Sequence, residues 1–152
     1  SDLFHNDVTL EFQRKVFEIM NKAHWHFFSV GTKRIARTAL LHFNFKWTDN
    51  IQLTVPVESG EYAWRIDILK GIPAKKKAIS MAPILGPFDN DIDFTGIDIV
   101  GVVPETWGYK RPHDPKWIDH IKRRCLEQEV TFSNHKIVYE QEGTKKYDPR
   151  PV

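Results

Sequence analysis

Two histidines one residue apart, in "AHWHFF" (23–28), are the first feature with the residue types for chemistry. On an extended strand His24 and His26 would point to one side and could share a metal ion. On a helix, at about 100° per residue, they diverge by about 200° and cannot. The upstream pattern favours the helix. Val8, Phe12, Val16, Ile19, Met20, Ala23 and Phe27 recur at intervals of three and four, and Leu10, Phe17, His24 and Phe28 make a second stripe. Asp7 can cap such a helix and Gly31 can stop it. No metal is therefore expected at these histidines. The acidic run "DNDIDFTG" (89–96) begins like a calcium loop, but Phe94 stands where that loop needs glycine and Val100 where it needs glutamate. An acidic surface turn is expected there instead.

The strongest candidate for a binding site is the stretch "ETWGYKRPHDP" (105–115). Trp107 and Tyr109 alternate with Lys110, Arg111 and His113 directly before a helix start. Aromatic faces can stack on bases or sugars, and cations beside a helix N-terminus favour an anion. Secondary candidates are His42, Arg65 and Asp67, which an alternating pattern would place with Asn44 and Lys46 on the polar face of a sheet. An imidazole beside a guanidinium and a carboxylate could handle a phosphate or move a proton. With His113 they would form a small phosphoesterase or nuclease site; without convergence they are a solvated face or a cross-strand ion pair. No nucleophile elbow, phosphate-binding glycine loop or zinc-protease motif occurs, and no cofactor is expected.

These residues must be positioned by elements that the hydrophobic period suggests. After the first helix the period becomes two: "TALLHFNFKW" (38–47), "IQLTVPV" (51–57) and "YAWRIDIL" (62–69) read as strands joined by the turns "TDN" and "SGE". "AISMAPIL" and "IDIVGVV" are further apolar segments. Asp114 as N-cap and Pro115 at the first helical position start a second helix, running to about Gln128. "VTFSNHKIVYEQ" reads as a last hairpin. The expected fold is α+β: an antiparallel sheet of about five to seven strands, packed by the N-terminal helix and by the helix near 115–128. Residues 1–152 read as a single domain with a polar C-terminal tail, 143–152.

The chain of 152 residues carries 22 Lys+Arg against 20 Asp+Glu, a balance that neither requires nor excludes a polyanionic partner. Its aromatic fraction of 12% argues for a folded globule over disorder. One cysteine, Cys125, excludes an internal disulfide and any CxxC metal site. No apolar run is long enough to span a membrane, so no membrane partner and a cytoplasmic, intracellular location, virion-associated in one variant, are expected. The tail has too few apolar groups to order itself, which points to a protein partner or self-association. The favoured function is a non-enzymatic binding or assembly protein, a small viral or structural subunit being one form of it. The alternatives are a nucleic-acid-binding module, using the 105–115 loop and clusters such as Lys75-Lys76-Lys77, and the phosphoesterase described above.

Overall fold

The computed structural model describes residues 2–105 and 111–134. Helices and strands follow one another: α1 (Leu10–Lys22), β1 (Phe28–Gly31), α2 (Ile35–Leu41), β2 (Ile51–Pro56), α3 (Trp64–Gly71), β3 (Lys76–Met81), β4 (Ile99–Val102), α4 (Pro115–Glu127) and β5 (Thr131–Ser133). Short 3-10 turns occupy His42–Asn44 and Gly60–Tyr62. The strands form one sheet in the order β1-β2-β3-β4-β5, and every pair is parallel.

The expected antiparallel sheet is therefore wrong, and the reason lies in two short segments. Of the three strands assigned to a meander, only 51–57 is extended. The stretch 38–47 begins in α2 and continues through a 3-10 turn, and 62–69 ends a 3-10 turn and enters α3. A helix of two turns is too short for its period to show. In α2 only Ile35 and Thr38, three apart, are buried, while Leu40 and, in the 3-10 turn that follows, Phe43 face solvent. In α3 the buried set is Arg65, Ile66 and Leu69. "TDN" and "SGE" are thus parts of crossover connections and not hairpin turns. Of the segment read as a last hairpin around 133–135, Thr131–Ser133 forms β5, parallel to β4; the remainder, from 135 on, falls outside the described residues.

The first helix also differs from expectation. Thr9, not Asp7, is its N-cap, accepting from the Phe12 backbone N–H at 3.2 Å. It ends at Lys22 rather than near Gly31, because the Asn50 side-chain amide reaches the carbonyls of Met20 (2.9 Å) and His26 (3.1 Å) and holds the chain in a turn. Gln13, Phe17 and Met20 make its buried stripe, while Phe12 and Ile19 point outward.

Alternation and register divide the sheet into two unlike faces. Val30, Ile51, Leu53, Val55, Ile79, Met81, Val100 and Val102 share one face. They form a single core with Phe17 of α1, Ile35 of α2, Leu69 of α3 and Ile121 of α4. The β3–β4 connection contains no helix and contributes Ile84, Phe88, Ile92, Phe94 and Ile97 to the same core. The other face carries, apart from Ile99, small or polar residues in register: Gly31, Thr54, Ala78, Ile99 and Thr131 in one row, Pro56, Ser80, Gly101 and Ser133 in the next. None of these belongs to the core cluster. Among the described residues the helices therefore cover one side of the sheet, whereas parallel sheets are ordinarily covered on both.

Candidate functional site

In a parallel sheet all strands end at one rim, so residues distant in sequence are gathered there by topology, and ligands of such sheets bind outside the carboxyl ends of the strands. Here that rim is built from the segments after β1, β2, β3 and β4. The most organised part follows β2. Val57 extends the ladder by donating to the Ser80 carbonyl at 2.9 Å, and the Glu58 carbonyl accepts from Leu85 at 2.7 Å. The Gly60 N–H donates to the Pro87 carbonyl at 3.0 Å; a Cβ at Gly60 would sit 3.0 Å from that same oxygen, so the turn needs glycine for close approach.

Those backbone bonds fix Glu58, whose side chain is only 11% exposed. Lys33 Nζ donates to one carboxylate oxygen at 2.6 Å, and Arg65 donates to the other at 3.2 Å. Arg65 is itself buried, donates to the Pro56 carbonyl at 2.7 Å, and lies 4.3 Å from the centroid of the Tyr62 ring. Burial alone would raise the Glu58 pKa; the Lys33 hydrogen bond and the charges of Lys33 and Arg65 outweigh it and hold the carboxyl below its ordinary value.

Beside this group Asp2 accepts from Thr32 Oγ1 at 3.0 Å and from Arg34 at 3.1 Å, and from the Phe4 backbone at 2.9 Å. Its pKa, too, falls despite the opposing effect of burial. An open cleft of about 420 Å³, lined by Asp2, His5, Thr32, Lys33, Arg34 and Pro56, adjoins the group through Lys33 and Pro56. After β4, Glu105 takes three donations from Arg111: the backbone N–H at 2.8 Å, Nε at 3.0 Å and a terminal nitrogen at 2.6 Å. The hydrogen bonds draw Glu105 down to about 2 and raise Arg111.

The residues singled out from the sequence are distributed unevenly over this picture. Trp107, Tyr109 and Lys110 lie outside the described residues. Arg111 is at the rim, but its guanidinium is engaged by Glu105. His113 is half-buried just before α4, whose first turn Asp114 caps by accepting from Lys116 at 2.9 Å. The polar sheet face assigned to His42, Asn44, Lys46, Arg65 and Asp67 does not exist, because none of them lies in a strand. His42 opens a 3-10 turn, with its Nδ1 buried and without a hydrogen-bond partner. Arg65 and Asp67 sit two apart on α3, one buried and the other exposed, as a helix dictates. The described partners of Arg65 are Pro56, Glu58, Tyr62 and Trp64, and none is His42, Asp67 or His113.

His24 and His26 stand in the turn between α1 and β1, on neither a helix nor a strand, and both are exposed. Among the described residues no group of three or more His, Cys, Asp or Glu is placed to hold a metal. In the acidic 89–96 run, Asp93 is bound by Lys70 at 2.6 Å and by the Thr95 backbone at 2.9 Å. Of the basic clusters, Arg124 is spent on the Ile92 carbonyl and Glu127. The C-terminal tail lies outside the described residues, so no described contact supports assembly through it, and nothing supports a viral origin. No helix among the described residues is long and apolar enough to cross a membrane.

Sequence reasoning missed Asp2, Lys33 and Glu58. One signal was present: in "IQLTVPVES" the alternation ends on a glutamate followed by a Ser-Gly turn, the form of a charged strand end. It could be weighed only once the neighbouring strands were known to be parallel.

No curated protein and no solved structure matches the chain. The family described as "Protein of unknown function (DUF5131)" matches residues 1–148, and the chain belongs to that family.

Proposed function

We propose that the protein is a binding domain whose site is the carboxyl rim of the parallel sheet, where it takes a small anionic ligand bearing a carboxylate or a phosphate. The observation that carries this reading is the Lys33–Glu58–Arg65 group, set beside the cleft that Lys33 and Arg34 line. Glu58 and Arg65 are fixed and nearly dry, whereas Lys33 is 63% exposed. Its ammonium has three donors and one described acceptor, so it can meet a ligand without releasing Glu58. Arg34, tied to Asp2 by one terminal nitrogen, keeps further donors for the same ligand.

A carboxyl held below its ordinary pKa is a weak base at neutral pH, which favours Glu58 as an anchor for cations over a proton acceptor. The separation of Arg65 from the other three residues of the phosphoesterase reading favours binding over that chemistry as well. Of the favoured function the binding half is retained; assembly through the 105–115 loop and tail is left without a described contact.

The test is thermal unfolding followed by fluorescence, with inorganic phosphate, pyrophosphate and citrate as separate probes. At least one should raise the midpoint of the parent and leave Lys33→Ala unmoved relative to its own baseline. A parent that no probe stabilises, or a Lys33→Ala variant stabilised as much as the parent, would overturn the reading.

A further inference from the structure

The rim opposite the proposed ligand site has a different character. The turn entering β1 exposes Trp25 by 71% and Phe27 by 57%, large aromatic surfaces that the core does not use. The rings of His24, Trp25, His26 and Phe28 follow one another with centroid separations of 5.1 Å between His24 and Trp25, 5.9 Å between Trp25 and His26, and 6.2 Å between His26 and Phe28. Lys76, at the start of β3, places its Nζ 5.1 Å from the Phe27 centroid. An open cleft of about 410 Å³ adjoins this turn and shares His24 with it; Lys46, Asp49, Asn50 and Lys75 line its polar side.

Lys46, Lys75 and Lys76 form no ion pair among the described residues, unlike Lys15, Lys22, Lys33 and Lys70. These three ammonium groups outnumber the carboxylates of Asp49, in the cleft, and Asp98, which accepts from the Lys77 backbone N–H at 2.7 Å, and they make this rim locally cationic. Exposed aromatic faces beside unpaired lysines are the two halves of a single-strand nucleic-acid surface: bases stack on the rings and phosphates lie against the ammonium groups. A duplex keeps its bases stacked on each other and offers the rings nothing. We propose that this amino-end rim, with Trp25 and Phe27 as stacking platforms and Lys46, Lys75 and Lys76 as phosphate contacts, binds single-stranded nucleic acid. The proposal is independent of the ligand site at the other rim.

Anisotropy of a labelled oligothymidylate of about twelve nucleotides, within the usual span of single-strand sites, reads the binding directly. Trp25→Ala should weaken it about tenfold or more, the loss of one stacked base. With three phosphate contacts the slope of log K against log salt should be about −2, and Lys75→Ala/Lys76→Ala should reduce it to about −0.7. Lys75→Arg/Lys76→Arg should restore the slope, and Lys15→Ala, at an exposed lysine of α1 paired with Glu11, should bind as the parent does. All four variants change exposed side chains, and far-UV circular dichroism confirms that each is folded. Absence of binding by the parent, equal affinity for a duplex of the same length, or an unchanged affinity in Trp25→Ala would each overturn the proposal. Binding to phosphatidylserine vesicles but not to the oligonucleotide would overturn it in favour of an anionic membrane surface.

Discussion

Removing the Glu58 carboxylate should cost far more than its charge alone suggests. Glu58→Ala leaves the Arg65 guanidinium, whose side chain is 10% exposed, with the Pro56 carbonyl as its one remaining described hydrogen-bond acceptor. Breaking a buried pair from one side commonly costs about 3–5 kcal/mol, because the surviving charge stays desolvated. The Tyr62 ring 4.3 Å away offsets about 1 kcal/mol of that, so a loss of about 3 kcal/mol is expected. Lys33→Ala removes an exposed cation and should cost about 0–1 kcal/mol. In Glu58→Ala/Arg65→Met no buried charge is left, and the loss should be smaller than the sum of the two single losses. Urea unfolding at neutral pH, followed by tryptophan fluorescence, measures all four. The pH dependence supplies a second readout. The folded pKa of Glu58 lies below its unfolded value, so in acid the unfolded chain binds the proton first. The contribution of Glu58 is complete above the unfolded pKa, about 4.3, and is lost as pH falls through the folded value. Glu58→Gln should lack that part of the acid destabilisation. If Glu58→Ala costs no more than Lys33→Ala, the pair is not desolvated and the reasoning fails.

Two further expectations test the elements around the site. Asp114→Ala removes the acceptor for the Lys116 N–H at the start of α4 and should cost about 0.5–2 kcal/mol in the same urea assay; an unchanged midpoint and slope would mean that another group satisfies that N–H. Cys125 is buried in α4, and burial pushes its thiol up to about 12, so dithionitrobenzoate should label the native protein only as fast as it opens and the urea-unfolded chain at once. Rapid stoichiometric labelling of the native protein would show that the α4 face is not packed as described.

Several local signals in the sequence held where the chain itself carried the physics, although Thr9 and not Asp7 caps α1. Asp114-Pro115 marks the start of α4 because an N-cap oxygen and a fixed φ act within one turn. "IQLTVPV" marks β2 because Ile51, Leu53 and Val55 alternate against residues that stay partly exposed. The amphipathic pattern marks α1, though not its end, since the bonds that stop it come from Asn50, far along the chain. What the sequence could not decide was strand direction. Alternation reads the same in a parallel or an antiparallel pair, and short helices such as α2 and α3 leave an ambiguous pattern in between. The candidate site depended on that choice. An antiparallel meander would have put Arg65 and Asp67 on a strand face beside His42; the parallel order puts Arg65 under a strand end and brings Lys33 and Glu58, separated by a helix and a strand, within 2.6 Å. Residue chemistry was legible in the sequence, but which residues meet was decided by tertiary structure, because only the parallel pairing of β1 with β2 brings their carboxyl ends to the same rim.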